Sequence, residues 1–333
     1  MADNEFAEFH DELRSVAGEL LAKDREVDWA VLVDAGWSGL EVPEQLGGAG
    51  ATFGETAVVL DQIGRAASTA GYLGCAALVV GLLNQLQHSR LRDELFSTVA
   101  DGSNRLCAVV GDFVIDGGRV TGHAEFVADA VGADRLLLTT GSGVAVVASA
   151  ALTVRAQPVA DETRRLATVT ADATEIDEVL AFAGAPTAAM RAIQDRAAVA
   201  IACDSLGLAE QMLTATVDYV KMRHQFGRPI GSFQAIKHAC ADMLVAVEVS
   251  RQLVAQAVAV VSDNADAGVA AAMAKSYTCS AAVDVAGKAM QLHGGIGYTW
   301  ESGIHTYLKR AALNRSLLGS PAAQRKILAQ RYR

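Results

Sequence analysis

Patterns typical of β-strands are confined to one internal segment of the chain. Between about residues 105 and 181, short runs rich in β-branched and apolar residues alternate with Gly, Asp and Thr turns, at 106–110, 113–115, 135–140, 144–147, 152–157 and 166–170. On both sides of this segment, apolar residues recur at helical spacing, as at Leu13, Val16 and Leu20. The sequence therefore predicts an N-terminal α-helical domain over residues 1–104, a shortened β domain over 105–181 and a C-terminal helical domain over 182–333.

The composition disfavours several classes of protein. The chain has 333 residues, of which 51% are hydrophobic and 20% charged, with only 5 prolines, as in a globular and mostly helical protein. A formal net charge of −10 argues against nucleic-acid binding, which depends on clustered Lys and Arg. The 5 cysteines include no C-x-x-C pair, which favours a reducing compartment. His238 and Cys240 have no third candidate ligand nearby in the sequence, so we expect no metal site.

Neither a targeting signal nor a membrane segment is expected. The start of the chain is acidic and lacks the apolar core of a signal peptide. The apolar run at 76–83 is too short to span a bilayer, and we interpret it as a buried core helix. These features predict a cytoplasmic protein.

Two polar segments of the C-terminal region give the strongest functional signal. The first runs Arg223-His224-Gln225-Phe226-Gly227-Arg228-Pro229-Ile230 and is followed by Phe233-Gln234; the second runs Gln291-Leu292-His293-Gly294-Gly295-Ile296-Gly297-Tyr298. A pyrophosphate needs a fixed cation, amide donors and a backbone whose N–H groups can be approached, which glycine permits. Either segment alone is more typical of a helix end with a solvated arginine or of a simple glycine turn. The two together favour a nucleotide site.

These two segments are similar to the flavin signatures of the acyl-CoA dehydrogenase family, and the stretch from Gly36 to Glu44 resembles its N-terminal domain. The resemblance covers almost the whole chain. It implies an N-terminal α-helical domain, a small central β-barrel domain and a C-terminal four-helix bundle. It also implies FAD as cofactor, an acyl-CoA substrate and an electron-transfer flavoprotein as acceptor. The ADP half of an FAD whose ring lies in the neighbouring subunit would be held by Arg223, Gln225, Phe226, Gln234, Gln291, Gly294 and Gly295.

The usual catalytic base of this family is missing. α,β-Dehydrogenation of a thioester needs a carboxylate, with its pKa raised by burial, to remove the α-proton. The ungapped match places Leu318 where most members carry this glutamate. Other members carry it before an arginine early in the C-terminal domain, and the matching pair is Asp195-Arg196, although an aspartate reaches about 1.5 Å less far. Asp195 is the candidate base; the favoured interpretation is a structural carboxylate beside Arg196 in a first helical turn.

The residues that would surround the flavin ring are also altered. Family members carry a Tyr-Ala-x-Thr-Glu-Pro-x-x-Gly-Ser-Asp type loop before the β domain, but here Cys107–Asp112 runs directly into Phe113. A Trp-Ile-Thr type element matches best to Phe126-Val127-Ala128, where the alanine lacks the hydroxyl. The ADP-binding residues are thus retained, while the base and the ring contacts are reduced.

This division favours a flavin-incomplete subunit. The chain resembles the small subunits of actinobacterial heterotetrameric acyl-CoA dehydrogenases, with two copies of each subunit, that oxidise CoA thioesters of steroids. A larger partner subunit would then supply the base and the ring pocket. The first alternative is a self-sufficient homotetrameric dehydrogenase with Asp195 as base. The second is a non-catalytic scaffold of the same fold, which the retention of Arg223 and Gln291 disfavours.

Overall fold

The computed structural model describes the backbone of residues 2–331 and the side chains of residues 10–330. Met1 and residues 332–333, which the predicted terminal domains include, lie outside the described residues. The chain divides into two compact units. Unit 1 contains the residues up to Arg25, Ala57–Ser68 and the chain from Ala198 onward; unit 2 contains Glu26–Thr56 and Thr69–Ala197. The domain boundaries predicted near residues 104 and 181 stay a prediction, since each unit combines segments that are not consecutive.

Helices dominate the chain up to residue 101, as the sequence predicted. The elements are α1 (Ala2–Lys23), β1 (Glu26–Val27), α2 (Trp29–Asp34), α3 (Phe53–Ala66), β2 (Thr69–Ala70), a π-helical turn (Leu73–Ala77), α4 (Leu78–Leu83) and α5 (Arg90–Asp101). β1 and β2 pair in parallel. Every residue of the apolar run at 76–83 is buried, which confirms its interpretation as a core helix.

Seven strands of unit 2 form one sheet. They are β3 (Leu106–Asp116), β4 (Arg119–Ala128), β5 (Arg135–Thr140), β6 (Gly143–Ala148), β7 (Thr153–Ala156), β8 (Leu166–Glu175) and β9 (Glu178–Ala181). Their order is β7-β8-β4-β3-β5-β6-β9; β3 and β5 are parallel, and the other neighbours are antiparallel. Val109, Leu138 and Val169 are fully buried in the core beside this sheet. The predicted central β domain is confirmed, and its edge strands β7 and β9 are not paired with each other within residues 2–331.

Two of these strands fall outside the runs that the sequence predicted. β4 contains Arg119, Gly122 and His123, which interrupt the alternation of apolar and polar residues. It nevertheless lies between β8 and β3, so its neighbours in the sheet, more than its own side chains, determine its conformation. β9 has only 4 residues, too few to give a clear pattern.

Long helices form the rest of the described chain. They are α6 (Pro186–Met222), α7 (Gln234–Ser262), α8 (Gly268–His293), α9 (Ile304–Ser316) and α10 (Pro321–Arg331). A short hairpin of β10 (His224–Gln225) and β11 (Arg228–Pro229) connects α6 to α7. α8 packs against α7, α9 and α10. This arrangement confirms the expected C-terminal helical bundle.

Two glycines allow α3 and α6 to approach closely within unit 1. A Cβ atom built on Gly64 would lie 2.0 Å from the carbonyl oxygen of Asp204, and one on Gly207 would lie 2.0 Å from that of Asp61. Any larger side chain at either position would therefore force the two helices apart.

A buried polar network fixes α9 within unit 1. Arg310 and Asp204 form a bidentate ion pair, and each side chain is 1% exposed. Arg310 also donates to the carbonyl oxygen of Ser68 at 2.7 Å. Asn314 Nδ2 donates to the same carboxylate at 2.5 Å, and Lys275 Nζ donates to the carbonyl oxygen of Asn314. Because a buried charge is costly unless it is paired, this network holds α9 in one position.

Candidate functional site

The first predicted segment folds as a tight hairpin between α6 and α7. Gln225 pairs with Arg228 across the hairpin, so Phe226 and Gly227 form its two-residue turn. Their φ angles are 53° and 77°, and two consecutive positive φ angles are the requirement of a type I′ turn. The backbone N–H of Ile230 donates to the carbonyl oxygen of Arg223 at 2.7 Å and closes the base of the hairpin. The turn leaves Phe226 92% exposed.

The second predicted segment ends α8 and opens the backbone to solvent. Gly294 follows His293 with φ 62° and ψ −140°, a conformation available almost only to glycine. No atom lies within 4 Å of a Cβ built on Gly294 or on Gly295, so open space adjoins both peptide units. A Cβ on Gly297 would instead lie 2.4 Å from the carbonyl oxygen of Met290, so this glycine is needed for packing.

One aromatic contact brings the two segments together. The rings of Tyr219 and His293 are stacked with centroids 4.3 Å apart, and the Tyr219 hydroxyl donates to the carbonyl oxygen of His293 at 3.3 Å. Tyr219 is one helical turn before Arg223, and the backbone N–H of Arg223 donates to the carbonyl oxygen of Tyr219. His293 Nδ1 lies 2.8 Å from the carbonyl oxygen of Ala289, the satisfied contact of a helix-end residue. Tyr219 lies outside both sequence motifs, although its position one turn before Arg223 is a signal that could have identified it.

All seven residues predicted to bind ADP are on the solvent-exposed surface of unit 1. Arg223, Gln225 and Phe226 are in the hairpin segment, Gln234 begins α7, and Gln291, Gly294 and Gly295 are at the end of α8. The structure thus presents a cation, three amide side chains and two accessible glycine peptides on one unit. Their role in binding ADP stays a prediction.

Asp195 is well inside α6, which begins at Pro186, so the expectation that it lies in a first helical turn is wrong. It is partly buried in unit 2. The neighbouring Arg196 is buried and donates to both carboxylate oxygens of Glu41 and, from Nε, to the carbonyl oxygen of Ala77 at 2.8 Å. Its guanidinium carbon also lies 4.4 Å from the ring centroid of Phe53. Arg196 is therefore a structural residue of unit 2. Glu41 gave no signal in the sequence, because 155 residues separate it from its partner.

Leu318 is in the connection between α9 and α10. It has φ 55°, is partly buried, and is followed by Gly319 with φ 105°. This position carries no carboxylate, so proton abstraction by a side chain at residue 318 is impossible. The turn follows directly from α9, which the Arg310–Asp204 ion pair holds in place.

The segments matched to the flavin-ring contacts lie in strands with register shifts, between Val109 and Phe113 in β3 and between Ala124 and Val127 in β4. In the second segment, Phe126 has φ 55°. β3 continues through residues 106–116 without the additional loop of the family pattern. A hydrogen bond to Cys75, together with burial, raises the pKa of the Cys107 thiol well above the ordinary value, so this thiol is not a nucleophile near neutral pH. Ala128, at the end of β4, is buried and has no hydroxyl.

Two family models match the chain. The model described as "Acyl-CoA dehydrogenase, N-terminal domain" matches residues 1–103, and the one described as "Acyl-CoA dehydrogenase, C-terminal domain" matches residues 184–332. Acyl-CoA dehydrogenase IpdE2 of Mycobacterium tuberculosis is 34% identical, over 90% of this chain and 86% of its own length. Acyl-CoA dehydrogenase FadE28 of the same organism is 28% identical, over 92% and 93%.

Solved structures agree with this assignment. A variant of the Tcur3481-Tcur3483 steroid ACAD superimposes with a TM-score of 0.88 at 27% identity, covering 98% of this chain and 99% of that chain. The ChsE4-ChsE5 complex from Mycobacterium tuberculosis shares the fold, with a TM-score of 0.85 at 24% identity over 97% and 96%. Because it matches IpdE2 and both family models, the chain belongs to the acyl-CoA dehydrogenase family.

Proposed function

We propose that this chain is the flavin-incomplete subunit of a heteromeric acyl-CoA dehydrogenase, which carries out α,β-dehydrogenation of a bulky, steroid-type CoA thioester. It contributes the residues that hold the ADP half of an FAD at a subunit interface. A larger partner chain contributes the base and the ring pocket. The main support is a contrast within the chain: the polar ADP-binding residues are exposed, while Leu318 occupies the position of the base. The steroid-type substrate is inferred from the likeness to the Tcur3481-Tcur3483 steroid ACAD.

The residues of unit 1 fit the ADP half of FAD. Open space beside Gly294 and Gly295 gives a pyrophosphate access to backbone N–H groups, which a Cβ at either position would obstruct. The exposed guanidinium of Arg223 would neutralise its charge, and the exposed amides of Gln234 and Gln291 would donate to its oxygens. When bound, FAD supplies the ring that accepts the hydride, and in this family an electron-transfer flavoprotein would accept the electrons.

Exposed apolar side chains accompany these polar residues. Such side chains on a globular protein mark surfaces that another molecule covers. They occur at the end of α6, in the hairpin and in the residues that follow α8: Met222 (73%), Phe226 (92%), Ile296 (48%), Tyr298 (71%) and Trp300 (73%). A partner subunit that covered them would also enclose the proposed ADP-binding residues, because both sets lie in or directly beside the same two segments.

α7 is apolar on two faces. Met243, Val247 and Val254 are buried against the rest of unit 1, whereas Val245 and Val249 are exposed on the opposite side. Within the described part of the chain, α7 is the one helix long and apolar enough to cross a membrane, and 22% of its most apolar window is buried.

A protein partner explains the exposed face of α7 better than lipid does. Arg251 forms ion pairs with Glu248 on the same helix and with Glu210, at 2.5 and 2.6 Å. Such charges are costly inside a bilayer, but they are common at the rim of a protein interface. We therefore assign this face to subunit assembly, and we infer a cytoplasmic enzyme.

Flavin stoichiometry tests the proposed function. The chain is expressed alone and together with candidate larger acyl-CoA dehydrogenase chains from neighbouring genes, and bound FAD is measured by absorbance and by mass spectrometry. We expect no stoichiometric FAD on the chain alone, and FAD with acyl-CoA-dependent bleaching in the complex. One FAD per chain on the isolated protein would contradict the proposal. The absence of FAD from every complex would favour a scaffold.

A self-sufficient enzyme is the alternative that partly buried Asp195 supports. That alternative requires an acyl-CoA to bleach flavin bound to the isolated chain, and requires the Asp195→Asn substitution to abolish the bleaching. In the heteromeric enzyme, by contrast, we expect Asp195→Asn to leave turnover within about threefold of the unsubstituted complex, because the partner holds the base. Glu301→Gln, at an exposed carboxylate after the second segment, serves as the matched control.

A further inference from the structure

Two buried cysteines of unit 2 lie in contact with each other. Cys75 is in the π-helical turn and Cys107 is in β3. Both thiols are free, both side chains are fully buried, and both belong to the core beside the sheet. A hydrogen bond joins the two thiols. The fold therefore brings together two oxidisable side chains that are well separated along the chain, so a bond between their sulfur atoms needs only a local movement.

The backbone at the end of β4 holds both sulfur atoms in place. Cys107 Sγ donates to the carbonyl oxygen of Ala128 at 3.3 Å, and Cys75 Sγ donates to that of Asp129 at 3.5 Å. The carboxylate of Asp129 also accepts the backbone N–H of Gly74 at 2.9 Å. A Cβ built on Gly74 would lie 2.1 Å from the carbonyl oxygen of Ala128. The π-helical turn is thus packed directly against the end of β4, and two consecutive carbonyl groups keep the thiols close together.

A cation touches one of the two sulfur atoms. Arg105 Nε donates to Cys75 Sγ at 3.2 Å, and the guanidinium carbon lies 5.7 Å from the ring centroid of Trp29. Arg105 is partly exposed, so its side chain connects the buried sulfur to the surface of unit 2. A guanidinium group stabilises the negative charge that develops on a sulfur atom as it attacks an oxidant. We therefore expect Cys75 to react before Cys107.

We propose that Cys75 and Cys107 are a redox-sensitive pair, which hydrogen peroxide oxidises to a disulfide. The Cys75 thiol attacks the peroxide, which gives a sulfenic acid on Cys75 and one water. The Cys107 sulfur then bonds to the Cys75 sulfur, and the hydroxyl of the sulfenic acid leaves with the Cys107 proton as a second water. The Cys107 thiol keeps its proton near neutral pH, so it reacts only with an activated sulfur that is held in contact with it.

The π-helical turn and the expected compartment both fit a reversible device. Single π-helical turns occur most often at functional sites, because the irregular turn has a cost that a regular helix avoids. Disulfides that form in a reducing compartment are usually transient and redox-sensing, since cellular thiols reduce them again. Neither cysteine is assigned to FAD or to substrate, so this proposal does not depend on the proposed function.

Peptide mapping of the full-length chain tests the pair. The reduced, folded protein is treated with hydrogen peroxide, the remaining thiols are alkylated in denaturant, and the digest is analysed by mass spectrometry. We expect one cross-linked peptide that contains Cys75 and Cys107, and we expect dithiothreitol to remove it. Because the bond closes a loop in the unfolded chain, the midpoint of urea denaturation should be higher for the oxidised form than for the reduced form.

Two variants separate the steps, and a third is the control. In Cys107→Ser, we expect oxidation of Cys75 to stop at the sulfenic acid, which dimedone traps as an adduct. In Arg105→Met, which removes the charge, we expect the same cross-link to form about tenfold more slowly. Cys240→Ser, at a partly buried cysteine on α7, should leave the rate of cross-linking within about twofold, since Cys240 is in the other unit.

Full alkylation of Cys75 and Cys107 after prolonged treatment with excess peroxide would overturn the proposal. A cross-link between another pair of cysteines in place of this one would also overturn it. Both outcomes are read from the unsubstituted chain, so they do not depend on the folding of any variant. Circular dichroism checks that each variant keeps the fold before its rate is compared.

Discussion

Two turns of unit 1 share an unusual backbone but differ in chemistry. Phe226-Gly227 and Leu318-Gly319 each place a large apolar residue at a φ near +55° and a glycine at a larger positive φ. The first turn is flanked by exposed Arg223 and is open to solvent. The second is partly buried and follows α9, which a buried ion pair fixes.

We interpret this difference as a contrast between the proposed ADP-binding residues and the position matched to the absent base. A non-glycine residue in the left-handed region costs about 1–2 kcal/mol, so both turns are maintained by their surroundings. At 226–227 the conformation presents polar side chains that match a nucleotide. At 318–319 leucine stands where the resemblance places the base. This contrast supports the proposal that a partner subunit supplies the base.

Removal of the ion pair behind the second turn should have the largest effect. In Asp204→Ala, Arg310 would keep a buried charge with no carboxylate, so we expect a loss of about 3–5 kcal/mol in the free energy of unfolding. Urea denaturation followed by circular dichroism measures this loss. Asp284→Ala, at an exposed position on α8, should change stability by less than about 0.5 kcal/mol. Equal stability of the two variants would contradict the conclusion that the buried network around Asp204 and Arg310 holds α9 in place.

Removal of the cation beside the first turn should have the next largest effect. We expect Arg223→Ala to weaken FAD binding by the complex by about 2–3 kcal/mol, which is roughly 30- to 150-fold, with the fold unchanged. Fluorescence titration of the deflavinated complex gives the dissociation constant. Lys221→Ala, an exposed cation two residues earlier, should leave that constant within about threefold. An unchanged dissociation constant in Arg223→Ala would show that the first turn does not contribute to FAD binding.

A carboxyl group on α3 gives a pH-dependent test of how α3 packs in unit 1. Burial, and then the nearby Glu210, raise the pKa of Asp61 from 3.8 to about 7. The folded chain therefore retains a proton that the unfolded chain releases, so this group lowers stability as the pH rises from about 4 to about 7 and adds no further change above that. An asparagine side chain at this position cannot ionise, and we expect Asp61→Asn to stabilise the chain by on the order of 1–2 kcal/mol at pH 8 and by much less at pH 4.5.

Urea denaturation of Asp61→Asn at both pH values measures this dependence. Asp284→Asn, at an exposed carboxylate in the same unit, is the control and should show no difference between the two pH values beyond that of the unsubstituted chain. A gain in Asp61→Asn of equal size at pH 4.5 and pH 8 would contradict the assigned direction of the pKa shift.

Restoration of a carboxylate in the second turn should have the smallest effect. We expect Leu318→Glu to leave turnover of the complex within about threefold, because a base is of use only beside a bound ring and substrate. Steady-state kinetics with a steroid-type CoA thioester measures turnover, and Leu318→Gln controls for the change in polarity. A tenfold gain specific to the glutamate would show that this chain retains a working ring pocket, and the contrast between the turns would lose its functional meaning.

Local patterns in the sequence were sufficient for much of this description. Helical spacing predicted the long C-terminal helices, and the paired segments around Arg223 and Gln291 identified the family. Leu318 was found by its distance from those segments. All of these depend on residues close together in the chain, where periodicity and short motifs have a direct structural cause. β4 was missed because charged residues and a glycine interrupt its pattern, while its place in the sheet is determined by strands β3 and β8.

The amino-acid sequence by itself determined the types of element and the family, and it carries the side chains from which the ADP-binding half of a flavin site is proposed. Only the tertiary structure decided that Tyr219 and His293 stack to unite the two segments, that Glu41 is the partner of Arg196, and that Cys75 and Cys107 share one core. The physical reason is distance along the chain. Contacts between residues 74 or 155 positions apart depend on how whole helices pack, and no local pattern encodes that packing.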